Sequence, residues 1–195
     1  MNQTRRRLLR SAGGLFAVTL LPAPFLILRP ARALEPVEVV MGGAGGGAHV
    51  WFDPIGLHIE PGQTIRWINR DPGNAHTSTA YHPDFSGKPR RIPEGAASWD
   101  SDYLLPDESF EVTLSEIGVY DYFCVPHEQA GMVGRIVVGQ AEDFGWNNPS
   151  PDLGLPEVVL KAFPPVEQIL AQGLVRRGEE RAQGNGLATS RHPHG

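Results

Sequence analysis

Tyr120-Asp121-Tyr122-Phe123-Cys124-Val125-Pro126-His127-Glu128-Gln129-Ala130-Gly131-Met132-Val133-Gly134 is the stretch on which the reading of this chain turns. An aromatic, strand-like run ends on Cys124, the only cysteine in the sequence; His127 follows three residues later and Met132 five beyond that. Taken singly, each has a plainer account: a lone Cys is usually a small buried hydrophobe, a Met after Gly is often core, and a loop His is usually solvated. Together, a thiolate, an imidazole and a thioether in one short loop are soft to borderline donors, and such a set completed by a weak axial sulfur suits copper. One imidazole is still needed. His76, in a loop between two strand-like segments, is placed to supply it from the neighbouring hairpin.

Gly118-Val-Tyr-Asp-Tyr-Phe-Cys124-Val-Pro-His127, followed by Ala130-Gly-Met132-Val-Gly134, resembles the C-terminal copper loop of the cupredoxins, especially plastocyanin, halocyanin and pseudoazurin. The resemblance runs from Val37 to Gly139. It implies a type 1 (blue) copper site with His76, Cys124 and His127 as ligands and Met132 as the axial one. It also implies that the His127 edge serves as the electron port, flanked by Val125, Pro126, Ala130 and Gly131. There is one departure. Plastocyanins usually carry Asn directly after the first His, bracing the Cys loop, whereas this chain has Thr77, whose hydroxyl is left to donate in its place.

Composition agrees with an all-β reading: 41% hydrophobic residues with 23 Gly and 18 Pro in 195 residues describe a turn-rich globular protein rather than a helical bundle. The net charge of −5 hides an asymmetry. Arg5, Arg6, Arg7, Arg10, Arg29 and Arg32 lie in the first 33 residues, where no Asp or Glu occurs. Setting those six aside from the 17 basic residues leaves 11 against 22 acidic ones. Nucleic acid is thereby a poor partner, and a basic protein surface a natural one. With a single cysteine there is no intrachain disulfide, and metal ligation is one way to hold a thiolate unreactive in an oxidising compartment.

Thr4-Arg5-Arg6-Arg7-Leu8-Leu9-Arg10, an apolar segment from Leu15 to Leu28, and Ala31-Arg32-Ala33 together read as a twin-arginine-type signal peptide over residues 1–33, with cleavage expected before Leu34. A retained membrane anchor is the alternative; Pro22 and Pro24 interrupt the run, and it falls short of a spanning length of about 18 residues. Removing the first 33 of 195 residues leaves 162 for the periplasm or cell exterior.

The domain itself is expected over residues 34–139, as a Greek-key β-sandwich of seven or eight strands. Val37–Met41 forms the first, and Gly42–Gly47 is a loop too glycine-rich to hold a strand. Ala48–Phe52 and Leu57–Ile59 follow. Glu60-Pro61-Gly62-Gln63 has Pro and Gly where a type II turn needs them. Thr64–Asn69 then alternates, with Ile65 and Trp67 on one face. Asp71-Pro72-Gly73-Asn74 ends that strand and delivers His76. His49 and His58 are read as surface or satisfied side chains, and His82 as part of a turn. Asp100, Asp102, Asp107, Glu108 and Glu111 read as a solvated acidic face rather than a docking site. Ser109–Leu114 points Phe110, Val112 and Leu114 inward. Tyr120 resembles the corner tyrosine of Greek-key sandwiches. Arg135–Val138 is the last strand.

Residues 140–195 form an extension. Between Leu155 and Arg177, Val166, Ile169, Leu170, Gly173 and Leu174 recur at helical spacing, predicting one amphipathic helix packed on the sandwich. A polar tail ends in His192-Pro193-His194, read as a flexible end rather than a metal scavenger. The function expected is that of an exported copper electron carrier, not an enzyme. It would serve protein redox partners such as a cytochrome or a copper/haem oxidoreductase, transiently and as a monomer. A copper storage or delivery protein is the alternative, disfavoured because a processed chain keeps only Met41 and Met132.

Overall fold

The computed structural model describes residues 35–140 and 154–177. The chain divides between Ala33 and Leu34, and the fold below belongs to the second unit. The predicted signal segment, the polar tail with its two histidines, and the stretch around Trp146 lie outside the described residues.

Among the described residues nine strands form two sheets: β1 Val37–Ala44, β2 His49–Asp53, β3 Gly56–Ile59, β4 Gln63–Asn69, β5 Thr79–Ala80, β6 Ser109–Leu114, β7 Gly118–Phe123, β8 Val133–Val138 and β9 Leu174–Val175. One sheet runs β2-β1-β4-β6 and the other β5-β7-β8-β3-β9. The β1–β4 and β3–β8 pairs are parallel and the others antiparallel. This is the sandwich expected from the alternating pattern. Ile65, Trp67 and Asn69 of β4 are fully buried while their neighbours are partly exposed, as a period of two requires. Gln63 N–H donates to Glu60 O at 3.2 Å, and Gly62 has φ 86°, the left-handed residue of the predicted type II turn.

Between the sheets lies an aromatic core. Trp67 meets Tyr122 edge-on at 5.3 Å and Trp99 at 5.7 Å, and Phe52 meets Tyr122 at 4.8 Å. The corner tyrosine is present: Tyr120 O–H donates to Glu116 O at 2.6 Å.

Three expectations are corrected. First, β1 continues through Gly42 and Gly43 to Ala44, paired with β2. A Cβ on Gly42 would lie 2.7 Å from the Trp51 ring, and one on Gly43 would lie 1.7 Å from the Asp71 carboxylate. These glycines serve close approach rather than a loop. Second, the described part of the extension holds two short helices, α1 Glu157–Ala162 and α2 Val166–Gln172, rather than one. Phe163 precedes proline and is extended (φ −68°, ψ 127°), because proline's ring pushes the residue before it out of the helical region. Third, β8 is not the last strand, since β9 returns to pair with β3.

Candidate metal centre

The loop after β7 folds back on itself. Cys124 is extended, Pro126 opens a 3₁₀ helix over Val125–Ala130, and Gly131 ends it in the left-handed conformation (φ 76°). His127 N–H donates to Cys124 O at 3.0 Å, Met132 N–H to His127 O at 3.2 Å, and Cys124 N–H to Met132 O at 3.0 Å. These bonds bring the three chemistry-bearing residues of the sequence motif to one end of the sandwich. Cys124 and Met132 are fully buried, and His127 is partly exposed.

His76 arrives from the other side. Beyond β4, the buried Asn69 amide donates to Asn74 O (2.8 Å) and Leu104 O (2.9 Å), while its Oδ1 accepts from Asp71 N–H (2.9 Å). His76 and Leu104 exchange backbone hydrogen bonds at 3.1 and 2.8 Å. The imidazole, with no exposed surface, then stands with Nδ1 3.2 Å from His127 Nδ1 and 3.7 Å from Cys124 Sγ; His127 Nδ1 is 3.4 Å from the same sulfur. Among the described residues this is the His/Cys/Asp/Glu group whose donor atoms converge, all within 4.8 Å of one another.

That triangle can be tested against an ion. Nitrogen at about 2.0 Å and sulfur at about 2.3 Å from a common centre place trigonal donors about 3.5–3.7 Å apart. The observed edges are close to this, and two imidazoles with a thiol form a copper-type donor set. Residues 37–139 match the family described as copper binding proteins, plastocyanin/azurin family.

The chain belongs to that family.

Plastocyanin of Scenedesmus fuscus is 38% identical over 100 residues, which span 49% of this chain and 93% of that protein. Chloroplastic plastocyanin of Fritillaria agrestis is 36% identical over 104 residues, 52% of this chain and 59% of that protein. Among solved structures, pseudoazurin of Methylobacterium extorquens AM1 is 25% identical with a TM-score of 0.49, covering 71% of this chain and 98% of that one. Copper is accordingly the cofactor of this cupredoxin.

Thr77 takes up the bracing in a way the sequence did not specify. Its N–H donates to Cys124 Sγ at 3.3 Å. Its Oγ1 accepts from Val125 N–H at 2.9 Å and lies 2.9 Å from Thr79 Oγ1, which in turn donates to Asp100 Oδ1 at 2.9 Å. The Thr79 proton is committed to the carboxylate, so Thr77 donates to Thr79 and keeps a lone pair for Val125. The hydroxyl therefore accepts from the cysteine loop rather than donating to it. Burial pushes the Cys124 thiol up to about 11, with the Thr77 and His127 hydrogen bonds acting in the opposite sense. The free thiol is protonated at neutral pH, and taking up an ion releases that proton. Burial also depresses both imidazoles, Asp71 partly offsetting this at His76, so their nitrogens are held neutral and available.

Two further groups escaped the sequence reading. Asp71, read only as a turn residue, is buried with Oδ2 3.1 Å from His76 Nε2. Glu128, inside the loop, is buried and accepts from Tyr81 O–H at 2.9 Å and from Lys88. Neither carries a signal in sequence, since each is buried by elements distant in the chain. Among the described residues, the remaining histidines lie apart from the centre: His58 Nε2 bonds Gly139 O, His82 Nδ1 pairs with Asp84, and His49 is exposed. The acidic residues near β6 are largely committed, Asp107 to Arg70, Glu111 to Arg66 and Asp100 to Thr79.

Proposed function

We propose that this cupredoxin is an exported blue copper protein that carries single electrons between protein partners. One type 1 ion would be held by His76 Nδ1, Cys124 Sγ and His127 Nδ1, with Met132 as the axial thioether. The observation that carries the reading is the convergence of two imidazoles and one thiol from two separate loops, with Thr77 N–H already aimed at the sulfur. Copper supplies a one-electron couple. The chain's part is to keep the donors still: His76, Cys124 and Met132 are packed without exposure, and backbone hydrogen bonds close the loop on itself. A donor set fixed in this way limits rearrangement when charge arrives, which favours transfer over substrate chemistry. Plastocyanin-like cupredoxins are carriers, not enzymes.

His127 is the one member of the set with exposed surface, and Val125, Pro126, Gln129 and Ala130 around it are exposed. We assign this face to the redox partner, a cytochrome or a copper or haem oxidoreductase meeting a monomer in a small, short-lived contact. The acidic balance after residue 33 favours a basic partner and a salt-dependent encounter. Export rests on the arginine-led apolar segment of residues 1–33, which also leaves membrane attachment open if it is kept. Among the described residues, no helix is long and apolar enough to cross a membrane.

The test is the visible and electron-spin-resonance spectrum of the copper-loaded protein. An intense thiolate-to-copper band is expected, and Cys124→Ser is expected to abolish it while the fold persists. A colourless complex, or one stripped by a mild chelator, would point to copper delivery instead.

A further inference from the structure

Asp71 sits behind the His76 imidazole, on the side away from the sulfur. It is 4% exposed, and its carboxylate is fully engaged: Oδ1 accepts from Gly73 N–H at 2.9 Å, and Oδ2 accepts from Asn74 Nδ2 at 2.7 Å and faces His76 Nε2 at 3.1 Å. Two of these partners are unambiguous donors, so the group acts as an acceptor and His76 Nε2 must carry the proton that points at it. In a neutral imidazole this leaves Nδ1 as a lone pair, the atom that stands 3.7 Å from Cys124 Sγ and 3.2 Å from His127 Nδ1. The position is built from two directions. Asn69 fixes the Asp71 backbone through its Oδ1, and β1 makes room, because a Cβ on Gly43 would lie 1.7 Å from Asp71 Oδ2. A buried carboxylate held this way orients a metal-binding imidazole and strengthens it as a donor. Its negative charge, one ring away from the centre in a low-dielectric interior, favours the more highly charged state of whatever ion is bound.

We propose that Asp71 is a positioning residue of the metal centre, which holds His76 as the Nε2–H tautomer and lowers the reduction potential of the copper. The inference rests on the blue-copper reading for its second half only, since the tautomer is a property of the copper-free protein. Nitrogen-15 ring shifts of His76 in the copper-free wild type should report a protonated Nε2 and a bare Nδ1; an Nδ1–H ring overturns the positioning role without any variant being made. In the copper-loaded protein, Asp71→Asn keeps the acceptor shape but removes the charge. It should leave the visible band in place and raise the reduction potential, and an unmoved potential overturns the electrostatic role. Asp71→Ala should weaken Cu(II), measured by chelator competition, by about 10- to 100-fold. Gly43→Ala, which displaces the carboxylate without touching it chemically, should shift affinity in the same direction; wild-type affinity in both overturns the proposal. A wild type that binds copper without the intense band would sink the electron-carrier reading alone, because the tautomer measurement stands regardless.

Discussion

In β4 buried residues alternate with half-exposed ones, and in β6 half-buried or buried residues alternate with exposed ones, whereas every residue of β7 and β8 is buried. Both pairs face the same aromatic core, so the difference lies on their outer sides. On β4 and β6 that side carries the Thr64–Thr113 hydroxyl pair and the Arg66–Glu111 ion pair at the surface. On β7 and β8 it carries Val119, Asp121, Phe123, Val133, Arg135 and Val137, and the returning chain covers it. Val166 and Ile169 pack with Val119 and Val137, while Leu155 and Val159 pack with Tyr81, Phe123 and Val133. Between these patches, Asp121 accepts from Arg91 and Arg135, Arg135 donates to Pro164 O, and both guanidiniums lie over the Phe163 ring. The strands that carry Cys124 and Met132 are thus clamped on both faces, and the strand that leads to His76 on one. The extension backs the strands that lead into and out of the centre.

The comparison can be broken most severely at Asp121. Asp121→Ala removes the carboxylate shared by two buried guanidiniums and should cost about 3–5 kcal/mol in urea unfolding; a loss below about 1 kcal/mol would mean that the covered face is not held by charge. Next in size, Ile169→Ala should cost about 2–5 kcal/mol, against about 1 kcal/mol for the half-buried Val112→Ala on the open sheet. Equal losses would erase the contrast. Thr77→Val keeps the shape but leaves Val125 N–H without its acceptor, so about 1–2 kcal/mol of stability should go, together with a shift of the visible band. An unshifted band would show that the brace does not reach the sulfur. The smallest effect on folding is expected at Met132. Met132→Leu conserves volume and should change stability by less than about 1.5 kcal/mol, yet raise the reduction potential with the colour retained. A potential that stays put would remove Met132 from the axial role.

Much of this was legible in sequence, for reasons that also mark where legibility stopped. The Cys124 loop is local: three chemistry-bearing residues within nine positions announce themselves, and the structure needs only a 3₁₀ turn and Gly131 to gather them. β4 and β6 announced themselves by alternation because one face of their sheet meets water. β7 and β8 lack that alternation, and what covers them lies about 20 to 50 residues downstream. Helical spacing correctly picked out Val166, Ile169 and Leu170, but did not weigh Pro164-Pro165 as a break and had no means of detecting a two-residue strand. Asp71 was the least legible of all. In D-P-G-N it looks like turn chemistry, and only the bare backbone of Gly43, on a strand nearly 30 residues earlier, turns it into a buried acceptor for His76.

That two-residue strand has a bearing on how the molecule behaves in company. β3 is short and lies beside β8, so its far side would offer a row of vacant amide and carbonyl groups to any passing extended chain. Leu174 and Val175 lie along it, Ile55 N–H donates to Val175 O at 3.0 Å and His58 N–H to Gly173 O at 2.8 Å, and Arg176 fastens the end to Asp53 at 2.6 Å. The polypeptide's own return takes up that border and leaves in its place an edge of two residues, too short a template to favour pairing with a second copy on that side of the sheet that holds the cysteine.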